Sequence, residues 1–570
     1  MDERSDHGDP PSDVDWIKDR LEIAAIQTAY GHAADMLASN PEASRRIFRT
    51  LFTADAVIDA YFPNQDPSAK PALTCIGPDR FVDAALNTFS TMGYTATNHH
   101  MGNMQIRVHG DTASMKSCTT APHVIDWGRR IDYLTATYTD HVVRTPQGWR
   151  IAQRKLTGTS YVPLASPSHP GAETAADALV KIAPPVRAPG ATGPGPQDPQ
   201  PSGFGSPIDP TSLEDRLAIE ALATRYAFAA DAGSSGNVEE GRRLIKECFT
   251  EDAVFESYLP NRGPDAPPDY RLIGPDGWCS TIAALRYRAA QHHVGNVHVE
   301  MSGDTATMKC CLTATLVHAW DRSIDLCTGY YTDRIVRTSK GFRIAHRRLV
   351  ATSALHLEAP PAGGLEQQIA AITRVAADAP RLTPLADPEL SDESATGDLR
   401  AWRDRMEIGA LAVSYAYAAD ALCRGDVDEG RQIIESCFTK DVVFEFCMPS
   451  DDPSAPPVST WIGPDTWIER VREGFADIGY TATQHHVGNV LISLHGDTAI
   501  MKCCLTATHV VDWSTSIVYA TANYTDHVVR TAQGWRIARR RLGVTSALRL
   551  QSPPRSGGET PADILSRSLS

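Results

Sequence analysis

The sequence predicts an α+β protein built from three tandem copies of one domain. The segment His99-His100-Met101-Gly102-Asn103 returns 193 residues later as His292-His293-Val294-Gly295-Asn296, and after the same interval as His485-His486-Val487-Gly488-Asn489. In every copy helix-like segments come first and strand-like runs follow, which is the order of an α+β unit. A spacing of this length is that of a whole domain and not of a solenoid repeat.

Each copy is predicted to begin with two helices. Apolar and small residues recur at helical spacing over 14–38, and counterparts begin near Leu213 and near Leu399. A second helix is predicted at 41–51, 238–248 and 427–437. A Phe-Thr pair follows in all three copies and leads into a strand, so the chain turns from helix to sheet at that point.

An Ile-Gly-Pro-Asp motif marks the next boundary, at 76–79, 273–276 and 462–465. Gly and Pro end a short strand, while Pro and Asp suit the first turn of a third helix. Four strand-like runs come next, and a Gly-Asp-Thr-Ala turn joins the first two of them. The predicted order is therefore helices, strand, helix and a four-stranded antiparallel meander.

The copies divide the chain into domains and connecting segments. Domains are predicted at 14–162, 211–358 and 398–552. Residues 163–210 and 359–397 are rich in Pro, Gly and Ala, which is typical of linkers, and 553–570 is a tail. Short amphipathic helices are predicted after each copy, at 174–182, 365–375 and 560–569.

Composition narrows the class of protein. A formal net charge of −15 argues against a nucleic-acid surface, which needs clustered Lys and Arg. The apolar runs are of strand length, too short for a membrane span, and the first residues lack the apolar core of a signal peptide. The twelve cysteines show no pairs at zinc spacing. We therefore expect a cytoplasmic protein that binds neither nucleic acid nor membrane.

The Phe-Thr-x-Asp lead-in, the His-x-x-Gly-Asn strand and the Gly-Asp-x-Ala turn resemble the SnoaL-like family. The resemblance covers most of all three copies and implies cone-shaped α+β barrels, as in scytalone dehydratase, bile-acid dehydratase, ketosteroid isomerase and polyketide cyclases. It also implies catalysis without a cofactor or a metal. Because such relatives commonly associate as dimers or trimers, three linked copies predict an intramolecular pseudo-trimer that is mainly monomeric as a chain.

The first candidate site residues lie near the end of the first helix. Tyr30 and Asp35 recur as Tyr226 and Asp231, and as Tyr415 and Asp420. A carboxylate that faces a pocket can move a proton or orient a histidine, and a tyrosine can donate to a substrate oxygen. The alternative is that the tyrosine is half-buried and the aspartate only ends the helix.

The histidine pair supplies the second candidate. Neighbouring strand residues point to opposite faces, so only one of His99 and His100 can face the interior of the cone. Similarity to the dehydratases implies that the inward, catalytic residue is the one four positions before the asparagine, hence His99, His292 and His485. An imidazole suits acid–base work near neutral pH. A structural histidine bound to a backbone carbonyl is the alternative.

A third group of candidate residues differs between the copies. The resemblance implies a second acid–base histidine at His123 and His509, where the middle copy has Leu316. Asp126 and Asp512, expected to contact substrate, correspond to Ala319. The middle copy, with Tyr226, Asp231 and His292, is therefore predicted to be degenerate. Arg154, Arg347 and Arg540 resemble a family arginine that fixes an anionic or carbonyl group, although a surface salt bridge is equally expected.

Together these residues predict a cofactor-independent lyase (a dehydratase) or isomerase. Its substrate would be an apolar hydroxylated carbonyl compound such as a polyketide or steroid, because Leu, Ile, Val, Trp and Phe would line the cone. Two alternatives remain open: an aldol-type polyketide cyclase, and a non-catalytic ligand-binding or scaffold protein.

Overall fold

The structure is a computed structural model that describes residues 12–167, 209–360 and 399–553, apart from loop positions 64, 66, 67, 128, 260–266, 286 and 450–454. These three ranges are called copy one, copy two and copy three. The short helices predicted at 174–182, 365–375 and 560–569 lie outside the described residues.

Three α-helices precede or interrupt the sheet in each copy, as predicted. The second helices begin and end at the predicted residues, and Pro at the first turn of the third helices follows a glycine with positive φ. The helices are α1 (Asp13–Asp35), α2 (Pro41–Leu51), α3 (Pro78–Met92), α4 (Leu213–Ser234), α5 (Val238–Cys248), α6 (Pro275–Ala284), α7 (Leu399–Arg424), α8 (Val427–Cys437) and α9 (Pro464–Ile478).

The strands follow the same plan in the three copies. Copy one contains β1 (Phe52–Tyr61), β2 (Leu73–Ile76), β3 (Ala96–Thr97), β4 (His100–His109), β5 (Thr112–Asp126), β6 (Arg130–Thr145) and β7 (Gly148–Ala165). Copy two contains β8 (Phe249–Tyr258), β9 (Tyr270–Ile273), β10 (Ala289–Ser302), β11 (Thr305–Ala319), β12 (Ser323–Thr338) and β13 (Gly341–Glu358). Copy three contains β14 (Phe438–Cys447), β15 (Ser459–Ile462), β16 (Ala482–His495), β17 (Thr498–Asp512), β18 (Ser516–Thr531) and β19 (Gly534–Gln551).

Each sheet is mixed and curved. The predicted meander is antiparallel, and its last strand returns to pair in parallel with the first strand of the copy, as β7 does with β1. The helices pack on one face of this sheet, where Tyr30, Phe48 and Phe52 belong to one buried apolar cluster. The predicted α+β fold is confirmed in all three copies.

The repeated Gly-Asn dipeptide interrupts the first long strand of every meander. The register of β4 against β5 shifts after Gly102, and Asn103, Asn296 and Asn489 adopt positive φ values of 50–51°. An asparagine tolerates this left-handed backbone better than most side chains. The register shift marks a bulge, which bends the strand at this dipeptide.

The asparagine side chains connect the copies in a cycle. Asn103 Nδ2 donates to the carbonyl oxygen of His485 at 2.5 Å, and its Oδ1 accepts from the Val487 backbone N–H at 2.8 Å. The same two bonds run from Asn296 to copy one and from Asn489 to copy two. Each copy therefore gives one asparagine to a neighbour and receives one from the other.

The second histidine of each pair lies where the three copies meet. The rings of His100, His293 and His486 are 4.5–4.9 Å apart between centroids and are almost completely buried. Apolar residues from the meanders of all three copies form a shared cluster, and the N-terminal ends of α1, α4 and α7 form a second one.

Candidate functional site

An aspartate–histidine pair is present in every copy. The carboxylate near the end of the first helix binds Nδ1 of the first histidine of the repeated segment, at 2.7 Å each time, and accepts the backbone N–H of the same histidine. The pairs are Asp35–His99, Asp231–His292 and Asp420–His485. With Nδ1 bound to the carboxylate, Nε2 is the ring nitrogen that remains for proton transfer.

A second histidine accompanies the pair in copies one and three. The ring of His123 lies 5.3 Å from that of His99, and His509 lies 5.3 Å from His485. Burial lowers the pKa of both His123 and His509 to about 3, so each imidazole is neutral near pH 7. A neutral ring can donate one hydrogen bond and accept another.

Copy three contains a cavity of about 360 Å³ at this place. His485, His509, Tyr415 and Tyr480 reach its wall. Most of the remaining wall is apolar and includes Phe446, Trp461, Trp467, Leu505, Leu542 and Val544. The cavity can hold a compact apolar molecule with its polar groups turned toward the histidines.

A tyrosine ring packs against the second histidine in both copies. Tyr94 lies 4.8 Å from His123, and Tyr480 lies 4.7 Å from His509, between ring centroids. Our sequence reasoning missed both. Comparison of the copies contained the signal, because Gly93-Tyr94-Thr95-Ala96-Thr97 recurs as Gly479-Tyr480-Thr481-Ala482-Thr483.

The surroundings of the tyrosine differ between copies one and three. In copy one, Tyr94 and Tyr161 both donate to the buried carboxylate of Asp132, the first at 3.0 Å. Copy three has Val518 and Ala547 at the two matching positions, 386 residues later, and both line its cavity. The corresponding histidines of copies one and three therefore have surroundings that differ in shape and polarity.

Copy two keeps the pair but not its environment. Leu316 replaces the second histidine, as predicted from the sequence. Thr97 and Thr483 donate to the aspartate of their copies at 2.7 and 2.9 Å, whereas Ala290 stands at that position in copy two. Within the described residues, Asp231 Oδ2 is buried without a hydrogen-bond partner, and burial raises the pKa of this carboxyl.

The arginines of the last strand correct one prediction. Arg154, Arg347 and Arg540 are at most 2% exposed, and each binds an aspartate across a β-hairpin, as Arg540 binds Asp526 with two hydrogen bonds of 2.8 and 2.5 Å. A surface salt bridge is therefore the wrong interpretation. Arg540 is not among the residues that line the cavity of copy three, and its guanidinium lies 4.3 Å from the Tyr415 ring.

Asp126 and Asp512, which were predicted to contact substrate, lie at the surface. Both aspartates are exposed at the turn between the second and third strands of the meander. The carboxylate of Asp512 accepts the backbone N–H groups of Ser514 and Thr515 at 3.0 Å. The Asp512 carboxylate therefore stabilises the turn that follows its strand.

Tyr30, Tyr226 and Tyr415 are buried against the arginines. Tyr30 packs 4.2 Å from the Arg154 guanidinium and edge-on to Phe48 and Tyr138. Tyr415 packs in the same way on Tyr524 and Arg540 in copy three and also reaches the cavity. Burial raises the pKa of Tyr415 to about 12, which keeps its hydroxyl protonated.

Two groups in the described residues bring three possible metal ligands together. His100, His293 and His486 form one at the meeting point of the copies, and His318, Asp325 and His356 form the other in copy two. In each group the ligand atoms lie within 4.8 Å of one another.

These features define a class of protein in which a curved mixed sheet and its helices enclose an aspartate–histidine pair. The chain belongs to the family of SnoaL-like domains, whose model matches residues 16–155, 211–348 and 400–541. The predicted family membership is thus confirmed for each copy.

Similar proteins match one copy at a time. An uncharacterized protein of Mycobacterium tuberculosis is 32% identical over 151 residues, which is 25% of this chain and 88% of that protein. A crystal structure from Novosphingobium aromaticivorans that carries the provisional name scytalone dehydratase is 23% identical, covers 25% of this chain and 88% of its own, and has a TM-score of 0.21. A hexachlorocyclohexane dehydrochlorinase of Novosphingobium barchaimii is 16% identical, covers 27% and 94%, and has a TM-score of 0.22.

None of the helices in the described ranges has the length and apolar character needed to cross a membrane.

Proposed function

We propose that copies one and three are the active sites of a cofactor-independent lyase or isomerase. The substrate class is an apolar hydroxylated carbonyl compound such as a polyketide or steroid. One observation carries this proposal: in copy three the Asp420–His485 pair and His509 line or adjoin one largely apolar cavity of about 360 Å³.

The proton chemistry follows from the hydrogen bonds. Asp420 holds the proton on Nδ1 of His485, so Nε2 accepts a proton from the carbon next to the substrate carbonyl. The carboxylate then stabilises the resulting imidazolium, as in other histidine–aspartate pairs. Tyr415, kept protonated by its raised pKa, donates to the enolate oxygen.

Loss of water completes a dehydration. The neutral His509 binds the departing hydroxyl, the C–O bond breaks, and the imidazolium of His485 returns its proton to form water. If the same proton goes back to a different carbon, the reaction is an isomerisation. Both outcomes need the same first step, which is removal of the α-proton.

Exchange of that α-proton is the most direct test. The full chain would be incubated in D₂O with a panel of cyclic β-hydroxy ketones, with deuterium uptake followed by NMR and enone formation by absorbance. We expect the double variant His99→Ala, His485→Ala to lose about 10²–10⁴-fold in rate. The matched control is His109→Ala, His495→Ala, which removes two exposed histidines from hairpin turns.

The outcomes separate the alternatives. Full activity in the His99, His485 double variant would refute the assignment. Binding of a panel compound to the wild type with no exchange would favour a ligand-binding protein. Carbon–carbon bond formation from a linear polyketone would identify a cyclase.

We also propose that the chain is a compact pseudo-trimer that remains monomeric in solution. The cyclic asparagine bonds and the shared apolar clusters between copies support this arrangement. Tethering raises the effective concentration of neighbouring copies toward the millimolar range, so these contacts can close within one chain. Small-angle scattering with light scattering tests it: three separated beads, or a mass of several chains, would contradict the proposal.

A further inference from the structure

We propose that copy two holds a divalent transition-metal ion, with Zn²⁺ the expected occupant, between His318, Asp325 and His356. These residues lie on three successive strands: His318 on β11, Asp325 on β12 and His356 on β13. The proposal is independent of the lyase or isomerase function of the other copies.

The distances between the ligand atoms support the assignment. His318 Nε2 lies 2.9 Å from one oxygen of Asp325, and His356 Nδ1 lies 2.7 Å from the other. Ligands at about 2.0–2.1 Å from a tetrahedral zinc are separated by roughly 3.3 Å. The ligand atoms are thus slightly closer together than they would be around an ion. Small side-chain rotations would increase their separation enough to admit one.

The residues that contact the proposed ligands are also typical of a metal centre. His356 uses its other nitrogen, Nε2, to contact Glu358 Oε1 at 3.2 Å, and Tyr287 donates to Asp325 Oδ2 at 2.9 Å. A metal-bound imidazole commonly donates its second N–H to a carboxylate, which fixes the ring orientation. Glu358 therefore orients His356 with Nδ1 toward the proposed ion.

Charge and access also fit. Asp325 is 1% exposed, so its negative charge lies in the protein and is available to offset a cation. The side chain of His318 is 41% exposed, which leaves a route from solvent and room for water as a further ligand. Two histidines and one carboxylate with an open position form a common set for zinc and iron(II).

The site is specific to copy two. The matching residues are Ile125, Asp132 and Pro163 in copy one, and Val511, Val518 and Arg549 in copy three. His318 packs 4.9 Å from Tyr287, between ring centroids, and Tyr287 corresponds to the tyrosines that pack against His123 and His509 in the other copies. Copy two therefore presents a histidine to this tyrosine from a position two residues later in the strand.

Metal binding by the full chain tests the proposal. Protein stripped with chelator would be titrated with Zn²⁺, and separately with Fe²⁺ under anaerobic conditions, by calorimetry at pH 7.5. Tetrahedral absorption bands of Co²⁺ would report the geometry. We expect one strongly bound Zn²⁺ per chain in the wild type and loss of that binding in His318→Ala and in His356→Ala. Glu358→Gln should weaken binding about 10–100-fold.

Two variants serve as controls. His346→Ala removes a half-buried histidine of the same sheet that contacts Glu256 at 3.1 Å, away from the site, and should bind zinc as the wild type does. His486→Ala tests the histidine group between the copies. Circular dichroism would show that each variant is folded, and the exposed position of His318 makes its variant the decisive one.

Each outcome decides for or against the site. Stoichiometric Zn²⁺ that depends on His318 and His356 supports it. Tighter binding of Fe²⁺ with the same dependence supports the site and changes its occupant. Absence of stoichiometric binding, or binding that survives in His318→Ala and disappears in His486→Ala, overturns the proposal.

Discussion

His486 of copy three lies against Gly102 of copy one so closely that a Cβ at the glycine would be 1.9 Å from Nε2 of the imidazole. The same contact joins His100 to Gly295 and His293 to Gly488, where a Cβ would be 2.2 and 2.0 Å from Nε2. Each glycine of the repeated segment is therefore needed because a ring from another copy occupies the place of its side chain.

Replacement of this glycine should weaken the contact between copies. Gly102→Ala forces the buried His486 ring to move, and overpacking of this kind costs about 1–3 kcal/mol of unfolding free energy. The measurement is urea unfolding together with the scattering profile. Gly409→Ala is the control, since the nearest atom to its Cβ would be 3.6 Å away and alanine favours a helix. Equal stability of the two variants would contradict the expectation.

The buried histidines should make the protein less stable in acid. Burial lowers the pKa of His293 to about 4 and that of His100 and His486 well below the ordinary value. These rings are neutral in the fold and take up protons on unfolding below about pH 6.5. Stability is therefore complete above that pH and is lost as the pH falls toward 4, by about 1.4 kcal/mol per pH unit for each histidine.

One substitution isolates this effect. His293→Gln removes one of the titrating rings. The slope of unfolding free energy against pH, measured from pH 7 to 5, should therefore fall by up to about 1.4 kcal/mol per pH unit, which is the value for one proton. The exposed His495→Gln variant should keep the wild-type slope. If the His293 variant also keeps it, these histidines do not cause the acid sensitivity.

Loss of the buried arginine pair should destabilise copy three strongly. Asp526→Asn leaves the guanidinium of Arg540 without its counter-charge in a site that is 1% exposed, and breaking such a pair costs about 3–5 kcal/mol. Asp497→Asn is the matched control, because Asp497 is 83% exposed and its pair with Arg530 should contribute little. Thermal unfolding compares them, and a small effect of Asp526→Asn would show that water or another group replaces the carboxylate.

The pair in copy two should be dispensable for turnover. His292→Ala should leave the rate nearly unchanged, because Leu316 provides no second imidazole, although some stability is lost with the bond to Asp231. The proton-exchange assay described above, combined with a melting curve, measures both effects. A large loss of rate at an unchanged melting temperature would show that copy two is catalytic.

The sequence predicted the fold in detail because the copies could be compared. The Phe-Thr and Ile-Gly-Pro-Asp boundaries placed the helices, and 41–51 agrees with α2 residue by residue. The bond between Asp140 and Arg154 could also have been predicted from the sequence. The two residues lie seven positions on either side of Gln147 at the turn, and they pair across the hairpin.

Other parts of the site depend on three-dimensional packing that the sequence alone does not reveal. Tyr94 and Asp132 meet only after β3 and β6 have been placed in the same sheet. Tyr330 of copy two donates to Asp35 of copy one, and no spacing within a copy predicts a bond between copies. Asp512 was predicted to contact substrate, but it is the last residue of β17 and lies exposed at the turn that follows.

Covalent linkage of the copies has a consequence for how such a protein can diverge. In a ring of three identical subunits, every substitution appears three times, so a change that helps one pocket must be tolerated in all of them. Here Asp132, Asp325 and Val518 occupy one position: the aspartate binds two tyrosines in copy one and two histidines in copy two, and copy three has a valine. The ring of histidines and glycines can stay uniform while each pocket acquires its own chemistry, so a single gene can encode a three-part assembly with unequal members.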